Sequence, residues 1–368
     1  MHRTKKCIGT LLVLYSFVFS QNASWEKTYI REINGLVYVP ISEFPYSGEV
    51  FELDEKGNVV ERLNYKNGLP EGKGLYVKWF SNGQKKEERD FSIGNNEGYW
   101  NKWYKSGQKK DQQAWKAGIK HGLWIHWYAN GQKEYEGNYV SGEQDGLWSY
   151  WYESGQKKHQ GVYKKNKLYT GIYKEWYPNG QKKMEGFYHN AEKEGLWVFW
   201  DEKGHKLLAK EYLAGKMDGQ FTEYFLSGVK KFQGSYSQDQ KDGIWKEWTE
   251  SGYLILKNQY RQGKLNGIWE SYRSDGTKYW EGNYKIGLED GRWTCWHGNG
   301  QKKSEGVFKE GKLYDGVYTE WNEKGIITLQ GDYKEWGKEG IWRGYDDYGY
   351  KIFEELYQNG ELIETKLF

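Results

Sequence analysis

Residues 122–139 read GLWIHWYANGQKEYEGNY, and this stretch recurs with small changes through most of the chain. A second glycine lies nine residues before each counterpart of Gly131, from Gly48 to Gly340. Thirteen glycine pairs at a constant offset define a repeat protein, because repeat architectures show self-similarity at a fixed period. The counterparts, at steps of 24 to 26 residues, are Gly57, Gly83, Gly107, Gly131, Gly155, Gly180, Gly204, Gly228, Gly252, Gly276, Gly300, Gly325 and Gly349.

Each repeat contains two aromatic-rich runs on either side of a turn signal. The residue before the anchor glycine is Asn or Ser in eight repeats. Asn-Gly between two such runs favours a β-hairpin with a two-residue turn and positive φ at both turn residues. This turn predicts the following facing pairs: Ala129 with Gln132, Tyr128 with Lys133, Trp124 with Gly137, Trp148 with Gly161, and Tyr173 with Gly186.

An isolated hairpin is marginally stable in water, so neighbouring hairpins are expected to pair with each other. The sequence therefore predicts an all-β fold: an extended, solenoid-like, twisted antiparallel sheet of about 13 stacked β-hairpin repeats of ~24 residues. Trp124 and Trp127 lie three residues apart, which places them on opposite faces of a regular strand. Either both faces of the sheet are aromatic, or a bulge turns one of the two rings inward.

The composition explains how such a chain could bury enough surface. It has 21 Trp and 33 Tyr but a mean hydropathy of −1.00, so aromatic rings rather than aliphatic side chains must supply the burial. Lys and Arg number 54 against 51 Asp and Glu, a formal net charge of +3. This near balance gives no reason to expect nucleic acid as a partner.

The N-terminal residues read as an export signal. Arg3, Lys5 and Lys6 precede the apolar stretch 8–19, and small residues suit cleavage before Gln21. The predicted organisation is a signal peptide at 1–20, an N-terminal cap at 21–47 and the repeat array at 48–368. The expected location is periplasmic, envelope-associated or extracellular. Cleavage would leave Cys295 as the sole cysteine, so no intramolecular disulfide is expected.

The repeat G-x-W-x-x-W-Y-x-N-G-Q-K-K-x-E-G-x-Y resembles the MORN-repeat variant of bacterial proteins, over roughly Gly48 to Phe368. Many such chains carry the label YwqK-type antitoxin. The resemblance implies a β-hairpin solenoid, a role in contact with proteins or membrane surfaces, and no catalytic residues. The antitoxin label fits poorly with an exported protein, which would not meet a cytoplasmic toxin.

No catalytic apparatus is predicted from the residues. Cys295 lies close to His297, which could indicate a nucleophile, but no other repeat supplies the pair and a variable strand position explains it better. The histidines fall in different repeats without metal-ligand spacing, so neither a metal nor another cofactor is expected. The recurrent acids Glu136, Glu185, Glu281 and Glu305 are interpreted as cross-strand partners of lysines.

The strongest candidate binding feature is a set of lysines two residues after the anchor glycine. They would form a charged stripe that meets an acidic protein, anionic lipid head groups or envelope polysaccharide, or they would only keep the sheet soluble. An exposed aromatic face is a second candidate, for sugar rings or an apolar protein surface. The predicted function is a non-enzymatic protein-interaction scaffold of the cell envelope or exterior; the alternative is a glycan- or lipid-binding module. The lysines are Lys85, Lys109, Lys133, Lys157, Lys182, Lys206, Lys230, Lys278, Lys302 and Lys351.

Overall fold

The computed structural model of the chain describes residues 25–27, 30–34, 36–39, 42–92 and 95–368. The predicted signal peptide and part of the predicted N-terminal cap lie outside these residues. The described chain divides into two compact units, one ending at Glu143 and the other running from Gln144 to Phe368. It contains β-strands and turns, with no α-helix among the described residues. No helix in this part of the chain has the length and apolar character needed to cross a bilayer.

Unit 1 contains eleven of the described strands. β1 lies parallel to β4, while β2 and β3 form a separate antiparallel pair. The hairpins are β4/β5, β6/β7, β8/β9 and β10/β11. The strands are β1 (Trp25–Glu26), β2 (Arg31–Ile33), β3 (Leu36–Tyr38), β4 (Gly48–Leu53), β5 (Val59–Lys66), β6 (Leu69–Trp79), β7 (Lys85–Ser92), β8 (Asn95–Trp103), β9 (Lys109–Lys116), β10 (Ile119–Trp127) and β11 (Lys133–Val140).

Unit 2 has the same pattern of antiparallel pairing between strands that are close in sequence. Its strands are β12 (Glu143–Trp151), β13 (Lys157–Lys164), β14 (Lys167–Leu168), β15 (Gly171–Trp176), β16 (Lys182–His189), β17 (Glu192–Trp200), β18 (Lys206–Leu213), β19 (Lys216–Tyr224), β20 (Lys230–Ser237), β21 (Gln240–Trp248), β22 (Leu254–Arg261), β23 (Lys264–Tyr272), β24 (Lys278–Lys285), β25 (Leu288–Glu289), β26 (Gly291–Trp296), β27 (Lys302–Lys309), β28 (Lys312–Leu313), β29 (Gly316–Trp321), β30 (Ile327–Lys334), β31 (Gly337–Tyr345), β32 (Lys351–Gln358) and β33 (Glu361–Leu367). The predicted all-β fold of antiparallel hairpin repeats is confirmed within each unit.

The turn at the anchor glycine differs from the predicted one. The N–H of Gly131 donates to the C=O of Tyr128 at 2.9 Å, and the N–H of Tyr128 donates to the C=O of Gln132 at 2.8 Å. Gly131 has a φ of 88°, whereas Asn130 is not among the residues with positive φ. This is a three-residue loop, a type I turn followed by a glycine bulge. The predicted pairs Ala129 with Gln132 and Tyr128 with Lys133 are therefore wrong.

The predicted tryptophan–glycine pairs are nevertheless confirmed, because a second irregularity cancels the first. Lys133 pairs with Trp127, but Tyr135 pairs with His126, so Glu134 is an extra residue on β11. This bulge restores the predicted register, and Trp124 faces Gly137. The same holds for Trp148 with Gly161 and for Tyr173 with Gly186.

Two-residue turns with positive φ do occur, but between hairpins rather than within them. Asn190 and Ala191 have φ values of 49° and 68° between β16 and β17. Ala117 and Gly118 form the corresponding turn between β9 and β10. Both φ values are positive, as in a type I′ turn.

The small aliphatic core lies near the start of the described chain. Val37, Val39, Tyr46 and Val50 are buried together. Backbone hydrogen bonds from Val37 to Gly68 (2.9 Å) and from Gly68 to Tyr46 (2.7 Å) attach this segment to the turn between β5 and β6. The first hairpins therefore gain an aliphatic contact that the later repeats replace with aromatic rings.

Candidate functional site

The two sides of a hairpin differ in chemistry, as β10 and β11 show. Trp124 and Gly137 lie on one side, here called the tryptophan face. Trp127 and Lys133 lie on the other, the lysine face. The extra residue of this hairpin is on β11, so β10 alternates regularly from Trp124 to Trp127 and both faces carry aromatic rings. Of the two alternatives left open by the sequence, this arrangement is the first.

The tryptophan face is closed by its own rings. Three residues, Gly195 to Trp197, stand opposite the single residue Gly186, because the register between β16 and β17 shifts there. The Trp197 ring lies across Gly186 so closely that a Cβ on the glycine would be 2.1 Å from an indole carbon. Trp197 is 1% exposed, and its indole N–H donates to the C=O of Phe187 at 3.2 Å.

Lysines cover these rings further. Nζ of Lys193 lies 4.5 Å from the Trp197 ring centre and 5.2 Å from that of Tyr212. Lys241 has the same relation to Trp245, at 4.2 Å. A cation over an aromatic face stabilises such a contact by ~0.5–1 kcal/mol at exposed sites. The tryptophan face is thus an interlocked layer with its largest rings buried, and it offers little open aromatic surface for sugar stacking.

Each lysine of the predicted stripe, here called the lysine row, begins the second strand of its hairpin. Lys182 is representative: its Nζ lies 2.5 Å from the carboxylate of Glu185 and 5.1 Å from the centre of the Trp200 ring in the next hairpin. The hydrogen bond from Lys182 holds the pKa of Glu185 below its usual value. The lysine row therefore joins neighbouring repeats.

Partners three residues further along the chain decide how much positive charge remains. Carboxylates fill this position in six cases, Lys85–Glu88, Lys133–Glu136, Lys182–Glu185, Lys278–Glu281, Lys302–Glu305 and Lys351–Glu354. Glutamines fill it in three, Lys109–Gln112, Lys157–Gln160 and Lys230–Gln233. Lys206 has Ala209 there and lies over the Tyr224 ring at 5.7 Å. The recurrent glutamates thus pair with lysines of their own strand; Glu185 also reaches Lys174 across the hairpin at 3.2 Å.

An apolar row on the lysine face was not identified from the sequence. It occupies the position directly after the first glycine of a repeat; in unit 2, Leu147, Ile172 and Leu196 there are 50%, 52% and 54% exposed. Cross-strand neighbours extend the patch, since Leu147 faces Val162 and Ile172 faces the exposed Phe187. The signal was present in the sequence, because the residue after the first glycine is apolar in most repeats. The further members of the apolar row in unit 2 are Ile244, Val317 and Ile341.

Cys295 lies on the tryptophan face, opposite Ser304 and next to Trp280. It is 2% exposed, and burial raises the pKa of its thiol, which disfavours the nucleophilic thiolate. His297 contacts the next hairpin, where its Nε2 lies 2.8 Å from the C=O of Trp321. Cys295 and His297, the two residues that suggested a nucleophile, therefore make separate structural contacts.

One cluster of titratable groups lies in unit 1. His126 Nδ1 is 2.6 Å from the carboxylate of Asp111, which is buried, and His126 Nε2 is 3.3 Å from that of Glu134. The His126 ring also stacks on Tyr135, with ring centres 5.5 Å apart. Within the described residues, no group of three His, Cys, Asp or Glu side chains has the arrangement needed to hold a metal ion.

Comparison with known proteins gives one informative result. The model of the MORN repeat variant matches residues 120–141, 144–165, 169–190 and 289–310. The match does not extend to the antitoxin label. None of the curated proteins matches the chain.

Solved structures give weaker similarities. The chain is similar to the TcdB2–TccC3 complex at 12% identity and a TM-score of 0.18, covering 83% of this chain and 20% of that one. It is similar to the Photorhabdus luminescens Tc holotoxin pore at 10% identity and a TM-score of 0.19, covering 82% and 18%. The chain thus spans about a fifth of those chains. Similarity at these TM-scores supports no conclusion about this protein. The four direct matches show that the chain carries MORN repeat variants at the matched segments.

Proposed function

We propose that the protein is a non-enzymatic, repeat-based binding scaffold whose apolar row in unit 2 contacts a protein partner. The observation that carries the proposal is the exposure of Leu147, Ile172 and Leu196 at one repeat position on one face. Apolar side chains at half exposure on consecutive hairpins resemble the patches that proteins bury on association. The repeat spacing would present them as a periodic surface.

The location of this scaffold is part of the proposal. The positively charged start and the apolar stretch of residues 8–19 support export, so the partner is expected in the cell envelope or outside the cell. Activity of a repeat scaffold should decline gradually as successive repeats are altered. An enzyme would instead lose activity when one residue changes.

A second candidate is binding to anionic lipid head groups or envelope polysaccharide through the lysine row. It is favoured by Lys206 and Lys230, two successive members without a carboxylate three residues on. Six of the ten lysines are paired with glutamates, however, which reduces the field of the row as a whole. Lysine charges that recur once per hairpin would also be screened from one another by physiological salt.

The test is a pull-down from envelope extract with immobilised residues 21–368, at low and high salt. The row variant carries Leu147→Ser, Ile172→Ser and Leu196→Ser, and a charge variant carries Lys→Gln at all ten positions of the lysine row. A control variant carries Leu213→Ser, Leu226→Ser and Tyr253→Ser, which are equally exposed apolar residues outside the apolar row. Circular dichroism establishes that all variants are folded.

A partner retained by the wild type, the control and the charge variant, and lost from the row variant, would support the proposal. Loss in the charge variant and at high salt would support the anionic surface instead. A partner that the row variant retains in full would contradict the apolar row as the binding surface.

A further inference from the structure

Strand β33 lies at an edge of the sheet among the strands that the structure describes in unit 2. It pairs with β32 alone among the described strands, and all seven of its residues are exposed. An edge strand presents unpaired backbone N–H and C=O groups to any strand that can add to it. Edges are commonly protected by proline, by charges that repel a second strand or by bulges. This segment, 361–368, contains no proline, and its bulge at Ile363 leaves residues 364–367 as regular strand.

The free backbone groups of this edge can be identified. The N–H of Phe368 donates to the C=O of Ile352 at 3.1 Å. Hydrogen-bonded and non-hydrogen-bonded pairs alternate along an antiparallel ladder. Since Thr365 faces Glu355 and Leu367 faces Phe353, both belong to non-hydrogen-bonded pairs. Their N–H and C=O groups therefore point away from β32, towards the open edge.

The sequence of this edge is self-complementary about Thr365. Residues 362–368 read LIETKLF: two apolar residues, an acid, threonine, a base and two apolar residues. If two copies pair antiparallel with Thr365 opposite Thr365, Glu364 faces Lys366 twice. The apolar residues 362–363 of one copy then lie near Leu367 and Phe368 of the other, although Ile363 is the extra residue of a bulge against β32. Opposite charges directly across antiparallel strands stabilise pairing, by about 0.2–1 kcal/mol.

Neighbouring symmetric registers lack this complementarity. Centring the pair on Glu364 would place two carboxylates opposite each other, and centring it on Lys366 would place two ammonium groups opposite each other. Like charges directly across strands are destabilising. Thr365 also has the outward backbone groups that a hydrogen-bonded central pair requires. Charge and hydrogen bonding thus select the same register.

We propose that β33 binds β33 of a second copy of this chain, antiparallel and symmetric about Thr365. The side chains at the join are available for it: Leu362, Ile363, Leu367 and Phe368 are 51%, 56%, 78% and 56% exposed. The contact is isologous, so the same strand serves both partners and the assembly closes as a dimer. A single pair of short strands is a small interface, so the dimer exchanges with monomer and depends on concentration.

The test uses two charge variants of residues 21–368, Glu364→Lys and Lys366→Glu, in sedimentation velocity over a wide range of protein concentration. Each variant places like charges opposite each other in the dimer and is expected to remain monomeric where the wild type dimerises. Mixed together, the two variants present opposite charges again, so a heterodimer is expected. Both substitutions are on exposed side chains, and matching circular dichroism spectra would establish folding.

A wild-type chain that stays monomeric at every concentration would overturn the proposal. So would dimers of unchanged affinity in both single variants, or a mixture of the two that fails to associate. The variant with Leu147→Ser, Ile172→Ser and Leu196→Ser keeps β33 intact and is expected to dimerise like the wild type. Loss of its extract partner with retained dimerisation separates this proposal from that for the apolar row.

Discussion

A glycine in the middle of a second strand provides the space in which the tryptophan of the following hairpin lies. The sequence predicts that the glycine faces a ring of its own hairpin, and this cross-strand pair is observed for Tyr173 and Gly186. The ring that covers Gly186, however, is Trp197 of the next hairpin. The difference comes from the extra residues around Gly195, which turn the following ring over the gap. Alternation along a strand does not reveal such a bulge.

Replacing one of these glycines should destabilise the protein. A Cβ at Gly234 would lie 2.3 Å from a Trp245 ring carbon, so Gly234→Ala must displace a buried indole. Overpacking of this kind costs about 1–3 kcal/mol, measured as a lower urea midpoint. Gly298→Ala is the control, since a Cβ there meets no atom within 4 Å. Equal midpoints for the two variants would contradict the role of the ring.

Turns are the elements at which sequence and structure differ most. Asn-Gly is compatible with a two-residue turn and with the last two positions of a three-residue loop. The structure has the second, and the Asn side chain contributes to it: Asn179 Oδ1 accepts from the N–H of Gln181 at 2.9 Å, and its Nδ2 donates to the C=O of Glu202 at 2.6 Å. The contact with the next turn exists only after the hairpins pair, so one repeat considered alone could not indicate it.

The left-handed turns between hairpins can be tested with two alanine-to-glycine substitutions that should change the free energy of unfolding in opposite directions. Ala191 has a φ of 68°, where a Cβ is unfavourable by ~1–2 kcal/mol. Ala191→Gly removes this strain but adds freedom to the unfolded chain, worth roughly 0.5–1 kcal/mol. The net expectation is a rise of about 0.5–1 kcal/mol in the free energy of unfolding.

Ala209→Gly, within strand β18, is the matched substitution. It relieves no left-handed strain and should lower the free energy of unfolding by about 0.5–1 kcal/mol. Urea unfolding of both variants measures the difference. A destabilised Ala191→Gly variant would show that the turn is not strained.

At the scale of the whole molecule, the fold class could be predicted from the repeat spacing, since thirteen glycine pairs have the same offset. The candidate binding surface was harder to predict from the sequence. Lysines stand out in a sequence, whereas Leu147 or Ile172 look like core residues until the structure shows them exposed. The binding role predicted for the lysine row stays a prediction. Its members, such as Lys182, have intramolecular partners that could not be predicted from the sequence.

A whole repeat should be removable. Deleting residues 197–220 joins Leu196 to Phe221, which has the repeat position of Trp197. The β-type circular dichroism spectrum and cooperative unfolding should survive, because stability is a sum over neighbouring repeats. Deleting residues 197–221 removes one residue more and reverses the facing of the strand that follows. This second variant should unfold at clearly lower urea; identical behaviour of the two would contradict the register.

Pairing between neighbouring strands also has a kinetic consequence. In each unit, a hairpin joins the preceding one across a short turn, so contacting residues lie within about one repeat of each other in sequence. All-β domains are usually slow to fold because their contacts are distant along the chain, and relative contact order measures that distance. Here the contact order is low for an all-β protein. Folding can begin at any hairpin and extend from it, so a chain emerging from the ribosome or a translocation pore can fold in the order in which it appears.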